Sequence, residues 1–337
     1  MSLTPKTVPT GAIRYNTDSN KMECFDGTKW YQISVSSPDL NGGVRGLING
    51  GYSPNTSTIT NRIEYITIST TGNSVDFGDL SSGRSYPTSC GSRSRGVTLT
   101  GVTSPTASDI IDYVTFAILG NAIDFGDVSN IRSCGAALSN NTRGLTGGGQ
   151  APNGTNYNII EYVTIATTGN AVDFGDIYGT VDYLGACQSP TRGIFAGGQT
   201  PTKLNTIGFV TISTTGNTQD FGDLTEKRRF LQGLSNSTRG IFGSGATPTA
   251  TTVLDYITIA SKGDATDFGD DLIAREEGNA AMSSPTRGVW AGGVVPPNCK
   301  DEISYIAILT QGNAVDFGNL SAVTSSSGGN SNGHGGL

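Results

Sequence analysis

The residues of this chain that could do chemistry occur as a repeated pair of opposite charges. Six arginines each precede a glycine, and six aspartates each precede a Phe-Gly pair. A guanidinium and a carboxylate can form a two-point ion pair, and an aspartate can also bind a metal cation. The arginines are Arg45, Arg95, Arg143, Arg192, Arg239 and Arg287; the aspartates are Asp76, Asp124, Asp173, Asp220, Asp267 and Asp316.

The Asp-Phe-Gly motif is known from protein kinases, where its aspartate holds magnesium. That chemistry also needs a glycine-rich phosphate loop and a catalytic-loop signature, and neither accompanies the six copies. We therefore predict that the phenylalanine fills space between neighbouring repeats and that the glycine permits a bend. The second acidic residue of each copy, which is Asn319 in the last one, is expected to close a turn with its side chain. The phenylalanines are Phe77, Phe125, Phe174, Phe221, Phe268 and Phe317.

The repeated arginines have two possible roles. In the first, each is partly buried and reaches an aspartate or backbone carbonyls of its own or the adjacent repeat, because its planar guanidinium satisfies several acceptors at once. In the second, the six arginines line a central channel and bind an anion. Repulsion among six like charges favours the first role.

No set of residues predicts a catalytic centre, a cofactor or a metal site. The spacing Asp-x-x-Asp lacks the dense oxygen ligands of a calcium loop. A single histidine, His334, and five scattered cysteines offer no zinc ligand set and few nucleophilic schemes. Cys90 and Cys187 fall at equivalent places two repeats apart, so we expect them to be buried and unpaired. The sequence therefore predicts a non-enzymatic protein.

The repeat that carries these residues has a period of 47 to 49 residues. Each copy contains a small-residue run after the Arg-Gly pair, a polar loop, a β-branched run such as residues 63–68, and a Gly-Asn turn. A third strand then holds Asp-Phe-Gly, and a weak fourth strand precedes the next copy. Four short strands without helical periodicity are typical of a propeller blade. We predict an all-β fold in which residues 41–337 form a six-bladed β-propeller of four-stranded blades.

Composition limits the partners of this chain. The chain has 21 basic and 28 acidic residues and a net charge of −7. Its one basic cluster, Lys227-Arg228-Arg229, is interpreted as a solvated turn, so we expect no nucleic-acid partner. No stretch is long and apolar enough to span a membrane, and residues 1–15 do not resemble a secretory signal, so we expect no membrane partner.

Both ends of the chain differ from the repeat. Residues 1 to about 40 predict a β-hairpin or meander with turns at residues 17–20 and 26–28. Such a module is too small to be stable alone, so it needs the propeller or copies of itself. The last residues, 325–337, are rich in Ser, Gly and Asn, which predicts a floppy tail unless neighbouring chains hold it. The candidate assembly residues are Arg14, Tyr15, Asn16, Phe25 and Trp30.

The N-terminal pattern resembles a small module of bacteriophage tail-fibre, collar and other virion-surface proteins. Its landmarks are Gly11-Ala12-Ile13-Arg14-Tyr15-Asn16-Thr17-Asp18, Asn20-Lys21-Met22-Glu23 and Asp26-Gly27-Thr28-Lys29-Trp30. The six repeats resemble the kelch-like propeller repeats of phage structural proteins. The resemblance implies a virion structural protein on the particle surface, made in the host cytoplasm. Residues 1–40 would dock it to other virion proteins, it would be a homo-oligomer such as a trimer, and the propeller would face outward for host adsorption.

The loops between the first and second strands counted from each Arg-Gly pair vary most between repeats. They are rich in Thr, Asn and Pro, and they are either a recognition surface for a host glycan or protein, or tolerated drift. Two other functions stay open: a glycan-binding or glycan-cleaving propeller with carboxylates clustered at a channel mouth, and an intracellular kelch-like adaptor. The loops are residues 52–61, 102–109, 150–158, 199–206, 246–252 and 294–302.

Overall fold

The computed structural model describes residues 8–16, 21–32, 44–103 and 107–337. These residues form strands and turns only, so the described chain is all-β as predicted. None of its elements is a helix that could cross a membrane. The chain divides into two compact units, Met1–Gly42 and Gly43–Leu337.

The N-terminal unit contains one antiparallel sheet in the order β1-β2-β3. Asp26 forms the turn between the last two strands, since its carboxylate accepts hydrogen bonds from the backbone N–H groups of Thr28 and Lys29, both at 2.8 Å. This is the expected second turn, whereas the expected turn at residues 17–20 lies outside the described residues. The strands are β1 (Ile13–Asn16), β2 (Lys21–Phe25) and β3 (Trp30–Gln32).

The large unit consists of short strands that follow the repeat. In its first half they are β4 (Arg45–Asn49), β5 (Tyr52–Ser53), β6 (Thr58–Ile59), β7 (Arg62–Thr67), β8 (Val75–Asp79), β9 (Thr88–Gly91), β10 (Arg95–Leu99), β11 (Ile110–Thr115), β12 (Ile123–Asp127), β13 (Ala136–Ser139), β14 (Arg143–Gly147), β15 (Ile159–Thr164) and β16 (Val172–Asp176).

The second half continues the same pattern with longer outer strands. Its strands are β17 (Gly185–Gln188), β18 (Arg192–Ala196), β19 (Gln199–Thr200), β20 (Thr202–Thr211), β21 (Gln219–Arg228), β22 (Gln232–Ser235), β23 (Arg239–Gly243), β24 (Thr251–Thr258), β25 (Thr266–Arg275), β26 (Ala280–Ser283), β27 (Arg287–Ala291), β28 (Val294–Val295), β29 (Asn298–Cys299), β30 (Glu302–Ala307), β31 (Val315–Asn319) and β32 (Gly328–Ser331).

Most of these strands form four-stranded antiparallel sheets. Sheet I has the order β32-β4-β7-β8, sheet II is β9-β10-β11-β12 and sheet III is β13-β14-β15-β16. Sheet IV is β17-β18-β20-β21 with β19 added, sheet V is β22-β23-β24-β25 and sheet VI is β26-β27-β30-β31. The first strand of each sheet contacts the first strand of the next, and β32 contacts both β26 and β9. These contacts form a closed cycle, which is a propeller-like arrangement.

The C-terminal segment closes this cycle. Strand β32 pairs with β4, so sheet I combines strands from the two ends of the large unit. The prediction of a floppy tail, held only by neighbouring chains, is therefore wrong. Its polar composition does not prevent pairing, because a strand next to β4 gains backbone hydrogen bonds whatever its side chains are.

The inner strands of each sheet are buried on both faces against its neighbours. The second strand of every sheet has four consecutive buried residues after its arginine, as in β18. Sheets covered on both faces do not need alternating polar and apolar positions, which explains why the sequence shows none. The hydrophobic clusters accordingly join residues of adjacent sheets, such as Leu138, Phe174 and Phe195.

Candidate functional site

Each repeated arginine connects its own sheet to the next one. Arg95 donates to the carbonyls of Ile165 and Ala166 in sheet III, both at 3.0 Å, and its guanidinium lies 4.6 Å from the ring centre of Tyr113 in its own sheet. Arg287 makes the same contact with sheet I, which completes the ring. The other four are Arg45, Arg143, Arg192 and Arg239, with donor–acceptor distances of 2.6 to 3.2 Å. The arginines therefore bind carbonyls, and each lies over an aromatic ring.

The repeated aspartates lie elsewhere. All six first aspartates of the Asp-Phe-Gly copies are exposed on the outermost strand of their sheets. Within the described ranges, none of the ion pairs joins a repeated arginine to one of them. Of the two acceptors that we considered for the arginines, the structure uses the carbonyl groups.

The phenylalanine and glycine of Asp-Phe-Gly act at the contact between sheets. Each phenylalanine is 2% exposed and packs edge-on against an aromatic ring of its own sheet, at 5.8 to 6.1 Å between ring centres. Gly126 has φ +147, and a Cβ there would lie 2.6 Å from the carbonyl of Gly169 in the next sheet. Only glycine permits both the backbone conformation and this close approach.

A turn asparagine of the next sheet completes this contact. The N–H of Asp127 donates to the Asn170 side chain at 3.1 Å, and the N–H of Gly169 donates to the carbonyl of Phe125 at 2.7 Å. The same pair of bonds recurs around the ring, with Asp264 in place of asparagine in sheet V. Here the second acidic residue contributes its backbone, and the side chain that closes the contact comes from the neighbouring sheet.

A set of buried ion pairs was missed by the sequence analysis. Arg132 is 1% exposed, and its Nη1 lies 2.6 Å from the carboxylate of Glu161 in the next sheet. Arg84 pairs in the same way with Asp112, and Arg228 pairs with Asp255. Burial lowers the pKa of Arg132, and the Glu161 carboxylate opposes that shift.

The interpretation of Lys227-Arg228-Arg229 as a solvated turn is therefore wrong for Arg228, which is fully buried. The signal was present in the spacing. Arginine stands seven residues after the repeated phenylalanine in four copies, and in three of them the next repeat has an acid on its central strand. In the third copy Val181 replaces arginine, and the facing residue is Gly208, against which Tyr178 packs.

The first strands of the six sheets surround a central axis, and the C-terminal residues fill one end of it. The Nε2 of His334 donates to the Gly91 carbonyl at 2.8 Å, and its Nδ1 accepts from the Gly336 N–H at 3.1 Å and from Gln188 at 3.0 Å. Burial lowers the pKa of His334 to about 4. A cavity of about 40 Å³ lies beside it between the first strands. This histidine is neutral at pH 7 and packs as part of the ring.

The opposite end of the axis is lined by aromatic residues with an uncommon backbone. Tyr86, Tyr183 and Phe230 have φ values of 52°, 54° and 62°, in the left-handed region that bulky side chains rarely adopt. Their rings pack together, with 4.1 Å between the centres of Tyr183 and Phe230 and 6.0 Å between those of Tyr86 and Tyr183. Cys134, Ser326 and Gly278 take left-handed conformations at the corresponding places in the other repeats.

The loops around this aromatic end differ between the two halves of the ring. Eight residues after each repeated phenylalanine, three copies have serine and three have a charged residue. On the charged side Arg229 donates to Gln199 at 3.0 Å, and Gln150 donates to Asp182 at 3.1 Å. Burial raises the pKa of Asp182. The serines are Ser325, Ser85 and Ser133; the charged residues are Asp182, Arg229 and Glu276.

The serine half holds a large pocket. It has a volume of about 750 Å³ and lies among the loops of sheets I and II and the aromatic end of the axis. Nine of the twelve described residues that line it carry a hydroxyl group, including Tyr52, Thr58 and Tyr86. Glu277 is the one charged side chain in that lining. Two of the variable loops contribute residues, although residues 104–106 of the second lie outside the described part.

The N-terminal sheet has one face with internal contacts and one apolar face. Arg14 pairs with Glu23 at 2.8 Å and stacks 4.1 Å from the ring centre of Trp30. Asn16 donates to Glu23 at 3.0 Å, and Phe25 packs against Trp30. Four of the five candidate assembly residues thus share one face. The opposite face carries the exposed residues Ile13, Tyr15, Met22 and Tyr31.

Other features of the described residues concern cysteines and metals. All five cysteines are free, and Cys90 and Cys187 are buried as predicted. Burial raises the pKa of the Cys90 thiol to about 12. No group of three or more potential ligands is placed to hold a metal ion in the part of the chain that the structure describes.

Comparison with protein families and with curated proteins found no match.

Proposed function

We propose that this chain is a non-enzymatic structural protein of a phage particle surface, built as a six-bladed β-propeller with an N-terminal attachment module. The propeller assignment is supported by six sheets whose first strands form a closed cycle. The virion assignment is supported by the resemblance of residues 11–31 to phage surface modules. The propeller would face outward, and residues 1–40 would dock to other virion proteins.

One observation carries the proposal: the two units have opposite needs for a partner. The ring is closed by its own C-terminal strand and by arginine contacts between neighbouring sheets. The small N-terminal sheet instead exposes Ile13 by 60%, Tyr31 by 49% and Met22 by 42% on one face. Three strands of this size bury too little to be stable alone, so this face needs a further surface. Copies of the same unit in a homotrimer would provide it.

The placement of the ionisable groups supports a non-enzymatic role. The buried carboxylates of Asp112, Glu161 and Asp255 are each held by an arginine. Both ring nitrogens of His334 make hydrogen bonds to the tail and to inner strands. A glycosidase needs two carboxyl groups on opposite sides of its substrate, and the large pocket contains Glu277 alone among its described lining residues.

The solution mass of the purified full-length protein tests the proposal. We expect a trimer, and we expect Ile13→Asp combined with Met22→Lys to yield monomers with unchanged thermal unfolding of the ring. Val172→Asp is the matched control, because Val172 is a similarly exposed residue on an outer strand of sheet III. A monomeric wild-type protein, or a double variant that keeps the wild-type mass, would overturn the assembly role. Absence of the protein from purified particles would overturn the virion role.

A further inference from the structure

We propose that the pocket among the loops of sheets I and II binds a neutral oligosaccharide, with the ring of Tyr86 as its apolar platform. This inference names the ligand class of the outward-facing loops and so extends the proposed function. The binding itself does not require incorporation into a particle, so the two can be tested separately.

The volume and form of the pocket suit a small polar ligand. At about 750 Å³ it falls within the ~300–1,000 Å³ that is typical of small-molecule sites. It is built from three kinds of segment: the loop of residues 52–59, the inner connections at residues 82–86 and 325–326, and Thr103 of the second loop. A rigid ring holds all of these segments in place.

The lining chemistry matches a sugar. Hydroxyl groups both donate and accept hydrogen bonds, and so do the hydroxyl groups of a saccharide. The lining includes residues that carry hydroxyl groups, such as Thr58, Ser82 and Ser85. The Ser82 hydroxyl is buried and has no partner in the structure. Because that atom is shielded from solvent, the exposed residues Ser57 and Thr58 are the ones that a ligand can reach directly.

The charge in the lining selects against anions. The lining contains no lysine, arginine or histidine among the described residues, and Glu277 gives it one negative charge. A phosphate, a uronic acid or a sialic acid would meet a carboxylate without a compensating cation. A neutral sugar meets no such repulsion, and its hydroxyl groups can donate to the Glu277 carboxylate.

The aromatic platform is fixed before any ligand binds. Tyr86 is half-buried with φ 52°, and its ring packs edge-on against Tyr183 at 6.0 Å. Its N–H donates to the carbonyl of Ser326, which is also left-handed, at 2.7 Å. The equivalent positions of the other repeats share this left-handed conformation, so the packing of the ring enforces it at Tyr86. A ready-made ring face lowers the ordering cost of binding.

The hydroxyl-rich lining is confined to one half of the ring. At the positions equivalent to Ser85 and Ser325, that half has Asp182, Arg229 and Glu276, which bind side chains of their own surroundings. A repeat protein whose loops merely drift has no reason to place its hydroxyl groups on one side and its charges on the other.

Calorimetric titration of the full-length protein provides the test. The probes are neutral hexose and N-acetylhexosamine trisaccharides, with a uronic acid trisaccharide as the matched anion. We expect at least one neutral probe to bind saturably and the anion to bind at least ten times more weakly. Thr58→Trp, which fills the pocket from an exposed position, should weaken binding at least tenfold. Thr155→Trp is the control, because Thr155 is an equally exposed threonine in the corresponding loop of sheet III.

Two further variants assign the roles of single groups. Tyr86→Phe keeps the ring and should weaken binding only a few-fold, whereas Glu277→Gln should reduce the discrimination against the uronic acid probe. The proposal is overturned if no neutral probe binds at millimolar concentration, if the anion binds as well as the neutral probes, or if Thr58→Trp binds like Thr155→Trp. Trimer mass and particle incorporation are measured on the same variants, so failure of sugar binding is distinguishable from failure of the virion role.

Discussion

The junctions between neighbouring sheets and the loop face of the ring differ in how closely their residues follow the sequence repeat. At every junction between sheets an arginine, a glycine and a turn side chain make equivalent contacts, with Asp264 replacing the turn asparagine once, and the junction of sheet VI with sheet I follows the same pattern. On the loop face, equivalent positions hold serine in one half and charged residues in the other. The same repeated backbone thus carries junction contacts that recur around the ring and loop residues that differ between its two halves.

The difference shows which atoms the fold needs. The junctions consist largely of hydrogen bonds to backbone groups of the adjacent sheet. These groups are held at fixed distances, so a side chain of another size or polarity cannot make the same contact. The loops only have to join two strands, and many sequences can do that. The buried ion pairs lie between these extremes, since Val181 and Gly208 replace an arginine and its acid without loss of the sheet contact.

Replacement of a buried arginine should have the largest effect. Arg228→Val leaves the Asp255 carboxylate buried without its cation, and we expect it to cost about 3–5 kcal/mol of unfolding free energy. The double variant Arg228→Val with Asp255→Gly reproduces the third repeat and should recover part of that loss. Denaturant unfolding of the two single variants and the double variant measures the coupling. Additive effects would show that the pair is not a unit.

Alanine substitutions at two glycines compare the tolerance of a junction between sheets with that of a loop. Gly126→Ala places a Cβ 2.6 Å from the backbone of Gly169, so we expect a loss of about 3 kcal/mol. Gly154→Ala is the matched control in a loop, where φ is also positive at +85° but nothing lies within 4 Å of the added carbon. It should cost only about 1 kcal/mol. Thermal unfolding of both variants gives the answer, and equal losses would remove the role assigned to the close approach.

The histidine at the end of the axis that the C-terminal residues fill should give an effect that is absent at neutral pH and visible only as a pH dependence. Its folded pKa of about 4 lies below the unfolded value of about 6.5, so the unfolded state binds the proton first. The contribution is complete above pH 6.5 and is lost as the pH falls towards 4, by at most ~1.4 kcal/mol per pH unit.

The variant His334→Asn removes this titration. The difference in melting temperature between wild type and variant should therefore change between pH 7 and pH 4.5, whereas carboxylates that titrate in the same range affect both proteins equally. Parallel curves for the two proteins would mean that folding does not lower the pKa of His334.

The sequence predicted the parts of the structure that repeat. The period, the β-branched runs and the glycines predicted an all-β fold of propeller-like four-stranded sheets, because these features are local and occur in every copy. The buried state of Arg228 was not predictable from its neighbours, since Lys227 and Arg229 suggest a solvated segment and its partner lies in the next repeat. The aromatic end of the axis was missed because left-handed conformations at Tyr86 and Phe230 depend on the packing of several sheets.

The pairing of β32 with β4 has a consequence for synthesis of the chain. Sheets II to VI can form as their residues leave the ribosome, but sheet I lacks its first strand until residues 328–331 emerge. The ring must therefore stay open during nearly all of translation, with the edge of β4 unpaired. Joining strands so distant in sequence makes the final step of folding slow. A chain released before Gly328 would keep the edge of β4 unpaired.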